Sequence, residues 1–165
     1  MKMDLQLRAV SINKEIKLRD YPFKHVFKGF EKVGAIKDIF GADTNRVLSR
    51  LKVALVPSKF GYLWIDDKKG ALVCNYNYIK DADKRYVYLD VIHELVHIKQ
   101  RMQGKKLFDD NFGYVDSPTE IEAYRVGAQE AKRIGMTKKE IIEYMKIEWV
   151  DKKQFNRLLK AVDLA

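Results

Sequence analysis

Cysteine is almost absent, with Cys74 the one thiol in 165 residues. A lone thiol forms neither an internal disulfide nor a cysteine-rich zinc site, which excludes zinc fingers, knuckles and ribbons and accords with a reducing compartment. Any metal must then be held by histidine and carboxylate. Proline is scarce as well: Pro22, Pro57 and Pro118 are the whole set, and no Pro/Ser-rich linker, internal repeat or low-complexity tract divides the chain. Long apolar runs are missing. The longest, such as residues 53–57, are a few residues long, where a bilayer-crossing helix needs roughly 18. No membrane insertion is expected, and Asp4 and Arg8 interrupt any apolar stretch of a secretory signal. The expected location is cytoplasmic.

What is present suits one globular domain over residues 1–165, with 47% hydrophobic and 33% charged residues. A domain of that size buries roughly 70% of the surface its unfolded chain exposes. Lys and Arg outnumber Asp and Glu by 32 to 23, a formal charge of +9, which favours anionic partners such as nucleic acid through steering and counterion release. The basic residues are interspersed with acids, as in Lys138-Lys139-Glu140, and read first as a solvated, evenly charged surface.

Periodicity divides the chain into three stretches. Residues 1–50 form a helical segment: Val26, Phe27, Phe30, Val33, Ile36, Ile39 and Phe40 recur at helical spacing and predict a helix over 23–40, ended by Gly41, then a shorter one over 43–49 capped by Asp43. Between residues 51 and 79, three short runs, LKVALV, FGYLWI and ALVCNYNYI, predict a small sheet. The link Asp66-Asp67-Lys68-Lys69-Gly70 makes residues 60–66 and 71–79 an antiparallel hairpin. A helix over 82–103 follows, closed by Gly104, and Ser117-Pro118-Thr119-Glu120 opens another that runs to about residue 134. Thr137-x-x-Glu140 and Asp151-x-x-Gln154 start helices over 138–148 and 152–163. The order is α+β.

The helix over 82–103 contains His93-Glu94-Leu95-Val96-His97, an H-E-x-x-H. Four residues apart, the two imidazoles project from one helix face and can bind a single cation. Glu94 lies roughly 100° round the helix and can reach a water beside that cation without being a ligand. Zn2+ accepts two histidine nitrogens and a carboxylate and keeps a position for water, which makes this the kernel of a zinc hydrolase. The surrounding Val91, Ile92, Leu95 and Val96 bury the pair, and buried imidazoles want a partner.

The third ligand lies elsewhere. Gln100 and Gln103 stand where metzincins carry glycine and histidine, and His25, the remaining histidine, reads as a packing or surface residue. A later helix carries Glu120-Ile121-Glu122-Ala123-Tyr124-Arg125, its first glutamate 23 residues after His97. Glu120 and Glu122 are about 200° apart around a helix, so one of them at most faces the metal. The combination resembles the gluzincins, in which H-E-x-x-H is followed on a later helix by a glutamate in a setting such as E-x-x-A-D or E-x-E-A. Placing Ala123 on the family alanine makes Glu120 the ligand, with Glu122 the ligand if Glu120 merely completes a capping box with Ser117. Tyr124 stands where the longer pattern has Asp, so the group that orients a ligating histidine must come from another residue.

Residues 60–133 are similar in size and order to minigluzincins, compact relatives of CaaX-prenyl-type peptidase catalytic domains, and also to ImmA/IrrE-like peptidases. The resemblance implies a zincin-like catalytic core over residues 51–135, C-terminal helices over 136–165, and zinc held by His93, His97 and Glu120. It implies that Glu94 is the general base and that strand 71–79 is an edge strand holding an extended peptide. Tyr124, one turn from Glu120 on the same face, is the expected oxyanion donor, with Tyr76, Tyr78, His25 and Arg125 as alternatives. Minigluzincins can be latent, with a terminal segment in the cleft; Cys74 could approach zinc in such a form, though a buried structural thiol is the plainer reading. The competing function is a basic nucleic-acid-associated protein with a structural or degenerate zinc site. Trp149, Lys152, Lys153, Phe155, Arg157 and Lys160 suit it, while Phe155, Leu158, Leu159 and Val162 read as an ordinary core stripe.

Overall fold

In the computed structural model, which describes residues 4–165, the first third of the chain is a series of short elements. Helix α1 (Leu5–Ala9), capped by the Asp4 side chain, leads to strand β1 (Ser11–Ile12). Strand β2 (Asp20–Pro22) runs into helix α2 (Phe23–Val26), strand β3 (Phe27–Lys28), a 3-10 turn at Phe30–Lys32 and helix α3 (Gly34–Phe40). The single helix expected over 23–40 is therefore broken, for a local reason. Gly29 has φ 83°, a left-handed conformation that leaves the helical path, and a Cβ added there would stand 2.5 Å from the Ala9 carbonyl oxygen. The apolar positions keep their role, since Val26, Phe27, Phe30, Val33 and Ile36 are all buried. Helix α4 (Thr44–Arg50) follows a 3-10 turn at Gly41–Asp43, and Asp43 pairs with Arg46 instead of capping the helix.

Strands β4 (Lys52–Val56), β5 (Leu63–Asp66) and β6 (Ala71–Asn75) join β2 in a sheet of order β2-β4-β6-β5. The hairpin between β5 and β6 forms as its turn predicts, closed by the Gly70 amide donating to the Asp66 carbonyl (2.7 Å). The strand expected over 71–79 is corrected in two respects. It stops at Asn75, whose side chain caps helix α5 (Tyr76–Asp81), and it is central: β6 pairs parallel with β4 and antiparallel with β5. All five of its residues are buried, and a strand paired on both sides offers no backbone to a peptide. The free edge beside the later helices belongs to β5.

Helix α6 (Lys84–Met102), capped by Asp83, packs against β5, α3 and helix α7 (Pro118–Arg133). Helices α8 (Lys138–Tyr144) and α9 (Lys152–Ala161) begin with the two capping boxes that their spacing predicts. α8 is shorter than the expected 138–148, and residues 145–151 cross as a loop. One apolar cluster extends from Leu7 to Leu164, and Arg133 binds both Glu130 of its own helix and Asp4, tying α1 to α7. The class is α+β, and no helix among the described residues is long and apolar enough to cross a membrane.

Candidate metal centre

Helix α6 is buried on nearly every side from Val87 to Ile98, so its polar residues sit where water is excluded. The packing of α7 across α6 brings Glu120, in the first turn of α7, over the two histidines. His93 Nε2 and Glu120 Oε2 are 3.2 Å apart, His97 Nε2 and Glu120 Oε1 3.5 Å, and the two Nε2 atoms 3.2 Å. Four donors placed tetrahedrally at about 2.0–2.1 Å from one ion stand about 3.3–3.4 Å from each other, close to the spacing of each histidine nitrogen from the other and from its nearer Glu120 oxygen. His93, His97 and Glu120 can hold a metal ion; their side chains are 11%, 8% and 13% exposed.

Ser117 forms no capping bond, its hydroxyl pairing with that of Thr119, so the capping-box reading of Glu120 is set aside. Glu122 is likewise not beside the histidines. It accepts from Gln100 Nε2 (2.8 Å) and from Lys105 Nζ (3.3 Å). Gln100 is the residue that sequence reasoning missed. Its amide also donates to the Thr119 carbonyl (3.0 Å), so both amide protons are engaged and only its oxygen is left for His97 Nδ1, 2.7 Å away. A carbonyl oxygen accepts, so Nδ1 of His97 carries a proton, and in the neutral ring that a metal requires the Nε2 lone pair faces the other two donors. The chain from Glu122 through Gln100 to His97 supplies the orientation that Tyr124 cannot.

Electrostatics follow the burial. Burial raises Glu94 to about 8, with Glu120 and Asp90 adding to the rise and His97 opposing it. Burial opposes a charge on His97, but Glu120 and Glu94 overcome it and lift His97 to about 9, while His93 is lowered, chiefly by desolvation. Glu120 is held well below the carboxylate range by the two imidazoles despite its burial. A carboxylate this easily ionised beside two imidazoles is a donor set for a cation that displaces the second proton of His97.

A cavity of about 290 Å³ opens over the triad, lined also by Glu94, Tyr124, residues 61–65 around β5, and Met145, Ile147 and Trp149 of the loop after α8. The Tyr124 ring lies 4.5 Å from that of His93, and its hydroxyl is 3.0 Å from the hydroxyl of Tyr114, a second lining residue that carries no sequence motif. The alternatives to Tyr124 are engaged elsewhere. Tyr76 donates to the Lys14 carbonyl, Tyr78 to Asp90, Arg125 to the Ala161 carbonyl, and His25 is stacked on Tyr21. Cys74 is fully buried within β6, where burial and then Glu94 push its thiol pKa well up, as for a packing residue.

No family model matches the chain, and no curated protein or solved structure matches it either.

Proposed function

We propose that the chain is a zinc-dependent peptidase of the gluzincin type, with a zincin-like core in which His93, His97 and Glu120 hold the metal. The observation that supports it is the buried group of His93, His97 and Glu120, whose ligand atoms lie within 4.8 Å of one another, with Glu94 beside it on the wall of one cavity. Zinc held there supplies Lewis acidity toward a carbonyl and lowers the pKa of a water toward about 7. Glu94 takes the proton of the attacking water and returns it to the leaving amine. Of the two hydroxyl protons of Tyr114 and Tyr124, one lies between the oxygens and the other is free to donate to the developing oxyanion. An extended peptide pairs with the free edge of β5, in place of β6. A latent form involves the loop after α8, which walls the cavity and is tied to the residue before β5 by Tyr62 Oη donating to Glu148 (3.2 Å).

The test is zinc content and hydrolysis of a fluorogenic peptide mixture by wild type, His97→Ala, Glu120→Ala and Glu94→Gln. Near-stoichiometric zinc is expected in wild type and Glu94→Gln and none in the other two, with hydrolysis by Glu94→Gln down by about 10²–10⁴. A metal-replete wild type without zinc removes the reading. Bound zinc, no hydrolysis, and salt-dependent DNA binding indifferent to residue 94 support the nucleic-acid alternative, for which Lys152, Lys153 and Lys160 of α9 form the basic face.

A further inference from the structure

Asp90 takes no part in the reaction proposed above, yet it lines the same cavity. It stands on α6 one turn before Glu94, and two phenols reach it from different elements: Tyr78 of α5 donates to Oδ2 (2.5 Å) and Tyr144 of α8 to Oδ1 (2.6 Å). An ionised carboxylate has about four acceptor positions, so two remain. Asp90 forms no ion pair with any described Lys, Arg or His, although burial raises its pKa to about 6 against the two phenol bonds and leaves it mainly ionised at neutral pH. A half-buried carboxylate that faces a cavity without a cation has acceptor positions open to a positively charged ligand.

The walls supply what a cation needs. Tyr62 packs 4.7 Å from Tyr78, and Tyr114 lies 5.5 Å from Trp149, both lining the cavity; the faces of such rings attract positive charge. Apart from the two histidines of the metal group, the lining carries one basic residue, Lys146, whose ammonium is already bound to Glu143 (2.6 Å). A divalent ion at the triad would be held by Glu120 and the two histidines, which leaves Asp90 without a cation of its own. Residues one helical turn apart have Cβ atoms about 5–6 Å apart, so a group held at Asp90 belongs to a residue close to the bond facing Glu94.

We propose that Asp90 is a specificity-determining residue that binds a cationic nitrogen of the substrate, a lysine or arginine side chain or the α-ammonium of a peptide, in the tyrosine-lined part of the cavity. The placement next to a scissile bond rests on the peptidase reading; the binding of a cation does not.

Two measurements separate these. In the first, the tryptophan fluorescence of the zinc-loaded full chain, with Trp64 and Trp149 on the cavity wall, is titrated with n-butylammonium and with the neutral n-butanol. The ammonium is expected to bind about tenfold or more tightly, as for one charge-assisted hydrogen bond, and Asp90→Asn is expected to remove the difference. Equal binding of the two probes by wild type, or a preference that survives Asp90→Asn, overturns the proposal; Asp90→Ser serves the same comparison if the asparagine variant does not fold. In the second, kcat/KM is compared for peptides with lysine or norleucine near the scissile bond, each with a free or an acetylated N-terminus. A preference for lysine in acetylated peptides assigns the side chain, and a preference that requires the free terminus assigns the α-ammonium. Cleavage without either preference overturns the role of Asp90 and leaves the peptidase standing. Ammonium binding that depends on Asp90, with no cleavage of any peptide, keeps the cation site and removes the peptidase.

Discussion

At the scale of single residues, the two histidines and Glu94 are legible because an H-E-x-x-H is defined within two turns of one helix. The residues that make the pair usable are not. Gln100 carries no motif of its own; it matters because α7 presents the Thr119 carbonyl and Glu122 to its amide, which commits its oxygen to His97 Nδ1. Gln100→Leu deletes that acceptor while keeping the shape, and metal affinity is expected to fall about 10–100-fold, measured by competition with a chromophoric chelator. Glu122→Ala is expected to weaken affinity by less than Gln100→Leu, since the Gln100 oxygen persists, whereas Glu120→Ala removes a ligand and abolishes stoichiometric binding. If Glu122→Ala and Glu120→Ala prove equivalent, the assignment of the third ligand is wrong.

At the scale of elements, capping boxes and turn chemistry act over three or four residues, and Thr137, Asp151 and the turn at Gly70 do what their sequences predict. Ser117 does not, because Thr119 captures its hydroxyl and Glu120 is drawn to the histidines. The segment over 23–40 shows the limit of periodicity: its apolar spacing identifies the buried residues correctly but not the path of the backbone, which turns at Gly29 against α1. Gly29→Ala places a Cβ against the Ala9 carbonyl and a side chain at φ 83°, and is expected to cost about 1–3 kcal/mol, read as a lower urea midpoint at unchanged slope. A loss no larger than that of an ordinary surface alanine would mean that α1 does not pack there in solution. The order of the sheet is of the same kind, since nothing within ALVCNYNYI says which strands flank it.

At the scale of the whole molecule, the buried charges couple folding to pH. In the metal-free protein Glu94 holds its proton up to about 8 and His97 up to about 9, whereas in the unfolded chain they release theirs near the ordinary 4.5 and 6.5. Between pH 6.5 and 8 the folded state thus binds more protons than the unfolded chain, and stability falls as pH rises. His93, lowered, gives the opposite slope only below its ordinary 6.5, and Glu120, lowered, acts only below its ordinary 4.5. The urea midpoint of chelator-treated protein is expected to be lower at pH 8 than at pH 6.5, and Glu94→Gln to flatten the decline. Metal should reverse the trend, because it takes the His97 nitrogen that one of those protons occupies and binds more tightly as that proton leaves. A midpoint that rises with pH in the metal-free protein would show that these groups are solvated.

The sequence by itself determined the α+β class, the helix carrying His93, Glu94 and His97, the hairpin turn, and the exclusion of any cysteine-based metal site. Each of these depends on spacing within a few residues or on composition. Only the tertiary structure decided that Glu120 and not Glu122 meets the histidines, that β6 is central and β5 lies at the edge beside the later helices, and that Asp90 sits among tyrosines from α5 and α8. Those facts depend on how α6 packs against α7 and the sheet, which brings together residues dozens of positions apart, and no local pattern encodes the angle at which two helices cross.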